Sequence, residues 1–355
     1  MSRIDSIAVF GLGKVGLLAA RLLDQAGFTV HAHDLIEPRE SVPFDTRTTD
    51  VSDPALLDAA LSSVDAVLSC LPHHCNRNLA DAAHRHGVHY FDLTEDVPTT
   101  RHIRELAATA AGVMAPQCGL APGFVGIVAA GQAARFEHCR SIRMRVGALP
   151  QHPTGLLGYA FNWSPEGVVN EYLNDCEVIE EGVHKWVSPM EWKETIYVHG
   201  TKLEAFTTSG GLGTMCETYL GEVENLDYKT MRYPGHMDLM NFFFHELLMR
   251  ERRELAGDIL TNAKPPVDED VVHVHVASEG TITGKLSRLE YVRSFRPRDV
   301  GDTRATAIAW TTAASVASVI EMVDDGTLPA RGFLKQESIP FPAFRATTTG
   351  RLFAD

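Results

Sequence analysis

The residues SIAVF (6–10) form a short apolar run that stops at Gly11, and the following GLGKVGLLAARLLDQAG carries Val15, Leu18, Leu22 and Leu23 at helical spacing. A strand, a glycine turn and a helix are therefore joined without a spacer. Gly11, Gly13 and Gly16 stand as G-x-G-x-x-G. The first permits the tight turn, the second lets backbone come close to a pyrophosphate, and the third lets the helix pack against the strand. The helix start, with Lys14 and Val15, presents unpaired N–H groups and the positive end of the helix dipole to phosphates. This pattern constrains the chain more than any other: it calls for a parallel sheet with a dinucleotide at its edge.

The next strand, FTVHAHD, ends in Asp34, 18 positions after Gly16, where an acid that binds ribose hydroxyls is expected. A carboxylate there repels a 2′-phosphate and favours NAD over NADP. Arg39, close by in sequence, weakens that preference. A short third strand ends near Asp50 and Val51, which are expected to border the adenine. PALLDAAL follows as a helix with Pro54 in its first turn and Ser52 or Asp53 as its cap. DAVLSCLP is a fourth strand of the fully buried kind, and its exit, Leu71 and Pro72, is expected to face the cofactor. VHYFDL and VMAPQCG complete six strands alternating with helices, an α/β Rossmann arrangement with a doubly wound parallel sheet.

The exits of the last three strands should face the nicotinamide. The fifth carries Asp92, Glu95 and Asp96. Asp92 and Glu95 read equally as acceptors of an amine proton or as loop acids, whereas Asp96 reads as a helix cap. The sixth carries Gly119, Ala121 and Gly123, which either clear space for substrate or make a tight turn into a helix starting at Pro122. His73 and His74 have no acid or cysteine at ligand spacing, and the HVH of 273–275 suits a structural role, so no metal is expected.

Beyond residue 136 strand-like stretches follow one another with few helices, as in an α+β domain. SPEGVVNEYL is a helix capped by Ser164, and MDLMNFFFHELLMRERREL reads as one long helix. Residues 302–326 form a last helix, rich in small side chains, that returns to the first domain. The expected division is a dinucleotide domain over 1–120, an α+β substrate domain over 121–300 and a returning segment over 301–355. Between these elements TMRYPGHMD sets Arg232 and His236 around a Tyr-Pro-Gly turn. A guanidinium held there suits a carboxylate, which it can grip with two parallel hydrogen bonds, with His236 as a second donor. The competing reading pairs both residues with acids such as Glu217 or Glu222 and gives them no further task.

A net charge of −14 argues against nucleic acid and anionic lipid as partners. Six cysteines without a C-x-x-C pair, and no leader pattern in the opening residues, fit a reduced cytoplasmic setting. No 18-residue apolar run is present, so no membrane span is expected.

The order G-x-G-x-x-G, HYFDLTED, CGLAPGFVGIVA, NWSPEGVVNEY, LEAFTTSGGLGTMCETY, TMRYPGHMD and DDGTLPARGFL resembles the saccharopine dehydrogenase-like reductases, and within them is most similar to the L-lysine 6-dehydrogenases. The most specific parts are APGF, WSP and RYPGH; Thr94 precedes Glu95 where such reductases often carry glycine. The resemblance implies a Rossmann domain, a substrate and dimerisation domain, a homodimer, and oxidation of an amino-acid amine by a nicotinamide. Hydride passes from the amine-bearing carbon to NAD, leaving an imine that hydrolyses or cyclises. Two other readings stay open: a saccharopine-forming or opine-like reductase, whose second carboxylate needs a cation such as Arg77, Arg143, Lys193 or Lys202, and a NAD-binding regulator without turnover.

Overall fold

The computed structural model describes residues 3–38 and 41–354, so Arg39 lies outside the described residues. The chain divides into two compact units, one running to Ile127 and resuming at Ala309, the other spanning Val128–Ile308. The divisions fall inside two helices, close to the sequence-based bounds at residues 120 and 300.

In the first unit β1 (Ser6–Phe10), β2 (Thr29–Asp34), β3 (Asp45–Thr48), β4 (Ala66–Ser69), β5 (His89–Asp92) and β6 (Val113–Ala115) alternate with α1 (Lys14–Ala26), α2 (Pro54–Leu61), α3 (His73–His86) and α4 (Val97–Ala107). All strands pair in parallel, and a seventh, Gly332–Phe333, adds to the edge beyond β6. The order is Gly332–Phe333, β6, β5, β4, β1, β2, β3. The order reverses between β4 and β1, which puts the ligand-binding edge of the sheet at the glycine loop. Alternation along the strands fills one face with Ala8, Phe10, Val67, Tyr90 and Met114, which pack with Leu57 and Leu61 of α2, Leu79 and Ala83 of α3 and Ile103 of α4.

The glycines answer to contact distance. A Cβ on Gly16 would lie 1.8 Å from the Gly11 carbonyl oxygen and 2.9 Å from Cys70 Cβ, so α1 can sit on β1 and β4 only without one. Gly11 itself has φ +89. α5 (Phe124–Ala133) begins two residues later than expected, because Gly123 has φ +133 and its missing Cβ would stand 2.1 Å from the Gly119 oxygen. Asp50 and Val51 lie past the end of β3, in the turn before α2, whose cap is Asp53 rather than Ser52.

The second unit is built on β7 (His138–Pro150), β8 (Cys176–Glu180), β9 (Val183–Val187), β10 (Glu194–Val198), β11 (Thr201–Thr207), β12 (Asn225–Arg232), β13 (Asp270–Ile282) and β14 (Lys285–Phe295). Its mixed sheet runs β10-β11-β12-β7-β13-β14, with β8 pairing to β12 and β9 to β8. Helices α6 (Pro165–Leu173), α7 (Met215–Tyr219), α8 (His236–Asn241) and α9 (Arg253–Ala263) accompany it. The Ser164 hydroxyl caps α6 by accepting from Gly167 N. The long helix expected from Met237 is broken instead. Residues Phe242–Glu246 widen into a π turn, with Leu247 N donating to Phe242 O at 3.1 Å, and Leu248 takes φ +57. Asp270, the first residue of β13, is buried and accepts from Ala307 N and Ile308 N.

The helix α10 (Ala307–Asp324) is long and apolar enough to cross a membrane by length and composition, but 83% of that window is buried inside the protein. Within the first unit its Trp310 packs on Phe353, which stacks on Phe124 at 4.1 Å.

Gly16→Ala should lower the stability of the first unit by about 1–3 kcal/mol, because the new methyl meets backbone that cannot yield. Urea unfolding is expected to show a lower midpoint with an unchanged slope.

Candidate active site

The turn from β1 into α1 is exposed at Gly13 and Lys14, half-buried at Val15 and buried at Gly11 and Gly16. A Cβ on Gly13 would meet no atom within 4 Å, so the loop leaves room above the first turn of α1, whose N–H groups have no partner within the helix. That is the cradle a pyrophosphate requires. Asp34 closes one side: its Oδ2 accepts from Leu12 N at 2.5 Å and its Oδ1 from Ile36 N at 3.1 Å. Each oxygen keeps a second lone pair for a ribose hydroxyl. Leu71 lies against Gly11, with Cδ2 3.1 Å from where its Cβ would be, and the half-exposed turn continues through Pro72 into α3, which His73 and His74 open. The exposed Leu35 and Ile36, which sequence reasoning passed over, add apolar surface directly after Asp34.

The exit of β5 differs from expectation. Asp92 is fully buried, and its carboxylate accepts from Tyr90 OH at 2.8 Å, Thr94 N at 3.0 Å and Gln117 N at 2.9 Å. It ties the exits of β5 and β6 together. Burial pushes its carboxyl up to about 6, the N–H donors pull the other way, and the Glu95 charge adds to the rise. Glu95 is half-buried. Asp96 caps α4, accepting from Thr99 N at 2.9 Å, as its position suggested. Gly119 and Gly123 press on each other and make the tight turn rather than an open space.

In the second unit the arginine turn is a buried cage. Arg232 ends β12 and is 2% exposed. Its Nε donates to Tyr172 OH at 2.7 Å, and one terminal nitrogen donates to Thr230 Oγ1 and to Met231 O. The other lies 3.9 Å from Glu171, and the rings of Tyr159 and Tyr172 flank the guanidinium. Three of the five N–H donors are thus committed within the protein. One terminal nitrogen, the one facing Glu171, has no such bond to Tyr172, Thr230 or Met231, whereas the sequence suggested a guanidinium presenting two parallel donors.

His236 is 1% exposed, with Nδ1 2.9 Å from Leu157 O and Nε2 2.9 Å from Tyr172 OH. A carbonyl only accepts, so Nδ1 carries the proton, Nε2 accepts from Tyr172, and the Tyr172 oxygen accepts from Arg232. Burial and then the Arg232 charge lower the imidazole to about 3, so His236 is a neutral prop and not a second cation. Two acids are seen at this turn. They are Glu171, from α6, and the buried Glu204 of β11, which accepts from Gly235 N at 2.9 Å and Met237 N at 2.7 Å. Glu204 pairs across the strands with Arg232, a register that no spacing in the sequence displays. The HVH histidines are engaged on β13: His273 Nδ1 is 2.7 Å from Ser294 Oγ, and His275 Nε2 is 3.7 Å from Glu290.

A saccharopine dehydrogenase NADP binding domain is recognised over residues 7–115, and a saccharopine dehydrogenase C-terminal domain over 119–351. The chain belongs to the saccharopine dehydrogenase family. Among proteins of this family it is 23% identical over 70% of its length to the saccharopine dehydrogenase [NADP(+), L-glutamate-forming] of Schizosaccharomyces pombe, covering 58% of that protein. It is 24% identical over 52% of its length to the Pyricularia oryzae enzyme of the same description, covering 44% of it. The chain thus spans about half the length of these curated relatives. The saccharopine dehydrogenase (L-Glu forming) of Saccharomyces cerevisiae shares its fold, with a TM-score of 0.75 at 17% identity over 96% of this chain and 95% of that one. For a member of this family, the seven-stranded parallel sheet and the mixed sheet are the expected pair of architectures.

The raised Asp92 pKa has a consequence for stability. The folded protein binds the proton more tightly than the unfolded chain, so this group's contribution is complete below its ordinary value of 3.8 and is lost as pH rises through about 6. The loss is on the order of 3 kcal/mol. Asp92→Asn keeps the acceptor for the two N–H groups and cannot ionise. Urea-derived stabilities between pH 4 and pH 7 should show the variant gaining on the parent as pH rises; a constant difference would leave Asp92 without that role.

Proposed function

We propose that the protein oxidises the side-chain amine of a free amino acid, with L-lysine as substrate and NAD as hydride acceptor, in the manner of an L-lysine 6-dehydrogenase. The observation that carries this reading is the buried Arg232 with Glu171 beside it. A cation for an α-carboxylate stands next to an anion for an α-ammonium, which is the charge pattern of a free amino acid. Arg232, turned by Tyr172 and Thr230, binds the carboxylate through its remaining nitrogen; Glu171 takes the ammonium. The side chain of lysine then lies extended with its amine at the far end.

The dinucleotide fits the first unit, where Gly11, Gly13 and the first turn of α1 would hold its phosphates and Asp34 its ribose. A bound nicotinamide supplies the hydride acceptor. The reacting amine must be neutral, and its proton leaves to a carboxylate or to water. Orientation of the amine-bearing carbon is the main task left to the protein.

A second reading, oxidation of a secondary amine of the saccharopine type, is favoured by the names of the curated relatives. Its additional carboxylate needs a second cation. Arg77, Arg143 and Lys202 are exposed, whereas Lys193 pairs with Glu204 beside the arginine turn at 3.2 Å. Initial rates with L-lysine, other diamino acids and carboxyalkylated amino acids separate the two, as does a product that cyclises.

Arg232→Lys should raise KM about tenfold for both lysine and its analogue without the α-amine, ε-aminocaproate, because one charge-assisted contact is weakened for each. Glu171→Gln should raise KM for lysine by a similar factor and leave the analogue nearly unaffected. Equal effects on both substrates would remove Glu171 from ammonium binding. Cofactor affinity is expected to stay constant in both variants, since the glycine loop belongs to the other unit.

Cofactor preference turns on Asp34. The relatives carry NADP(+) in their names, but a carboxylate at the end of β2 repels a 2′-phosphate. Asp34→Ala should weaken NAD about tenfold and tighten NADP, read by fluorescence titration of both reduced forms. NADP binding more tightly than NAD to the unaltered protein would reverse the assignment.

A further inference from the structure

Outside the arginine cage, the second unit brings together three side chains with the chemistry of metal ligands. Glu177 lies on β8, His184 on β9 and Cys216 on α7. In the β8–β9 hairpin Glu177 stands opposite Trp186 and His184 opposite Ile179, so Glu177 and His184 are diagonal neighbours on one face. Their donor atoms, Oε1 and Nε2, are 2.8 Å apart. Cys216 is buried, and one donor atom from each of the three residues falls within 4.8 Å of the others.

We propose that Glu177, His184 and Cys216 bind a zinc ion that clips the β8–β9 hairpin to α7. Bond lengths of about 2.0–2.3 Å at a tetrahedral centre place the ligand atoms of neighbouring corners roughly 3.3–3.6 Å apart. The thiol has to close by up to about 1.5 Å, and the carboxylate and imidazole have to part slightly to admit the ion. One thiolate, one imidazole and one carboxylate form a mixed set that suits zinc, since magnesium and calcium prefer oxygen alone. Water completes the fourth position. Binding displaces the thiol proton to solvent and leaves the imidazole neutral, so the neutralised set carries two negative charges against the two positive charges of the ion.

Sequence spacing hid this group because the ligands stand 7 and 32 positions apart, on three elements that only the fold assembles. The two partly exposed side chains give an ion access, with 26% of Glu177 and 34% of His184 open to solvent, while the buried sulfur gives it a dry wall.

The test uses the full chain, stripped with chelator, reloaded with zinc and dialysed. Elemental analysis should find one zinc per chain in the parent, and under about one tenth of that in Cys216→Ser and His184→Gln, since each loses one of only three protein ligands. His184 is partly exposed, so its variant folds even if the cysteine variant does not. Cobalt(II) loading should give thiolate-to-metal charge-transfer absorption in the parent and none in Cys216→Ser. Zinc should raise the unfolding temperature of the parent and leave that of His184→Gln unchanged. No stoichiometric zinc in the parent would overturn the proposal, as would equal retention by both variants, which signals an adventitious ion only.

Discussion

The guanidinium of Arg232 is a full charge inside an apolar cluster, and the surroundings of the arginine turn follow from what that demands. Removing such a group from water costs several kcal/mol even after relaxation, so its donors must be met by acceptors and its charge by something negative or polarisable. Tyr172, Thr230 and the Met231 carbonyl meet the donors; Tyr159 and Tyr172 present ring faces; Glu171 stands at 3.9 Å. The same demand sets the protonation of His236. Burial, and then the neighbouring guanidinium, disfavour an imidazolium, so the ring stays neutral and accepts from Tyr172 instead. Tyr172 thereby fixes two side chains through one oxygen.

The first unit solves a related problem with a carboxylate. Asp92 is buried where β5 and β6 end, the place at which parallel strands leave backbone N–H groups without partners. The carboxylate satisfies Thr94 and Gln117, and Tyr90 supplies a third donor from below. Three neutral donors do not replace hydration fully, which is why burial prevails and the group holds its proton to higher pH than a free acid. An ionisable residue at a strand exit can thus serve the backbone and still titrate. The two roles compete, and here the geometry favours the backbone.

Much of the first unit is legible in the sequence because its signals are local. Gly11, Gly13 and Gly16 with the apolar strand before them, the end of β2 at Asp34, and the caps Asp53 and Asp96 each depend on residues within a turn or two. The seventh strand has only two residues, Gly332 and Phe333, too few for any period. The break after Asn241 escaped because Phe242, Phe243 and Phe244 continue a helical apolar pattern while the backbone widens beneath them. At the candidate site, Arg232 and His236 could be singled out, but their partners could not. Glu171 and Tyr172 come from a helix 60 residues away, and Glu204 from a neighbouring strand. The partners of Asp92 were hidden for a related reason: burial of a carboxylate at a strand end depends on whether the next strand exit needs an acceptor.

Stability alone does not account for what fills the arginine cage. Buried ion pairs replaced by well-packed apolar groups of similar volume are often neutral or stabilising, and the surroundings here, with Tyr159, Phe206, Phe244 and Met240, would readily accept such a replacement. A fold that needed only a core at this position has cheaper solutions than arginine, glutamate and histidine together. Placing a cation and an anion side by side, with most donors of the cation already spent on fixing its direction, makes sense when an outside molecule of matching charge completes the arrangement. On the proposed reading, the rigidity supplied by Tyr172 and Thr230 is a gain for binding, because less side-chain freedom remains to be lost.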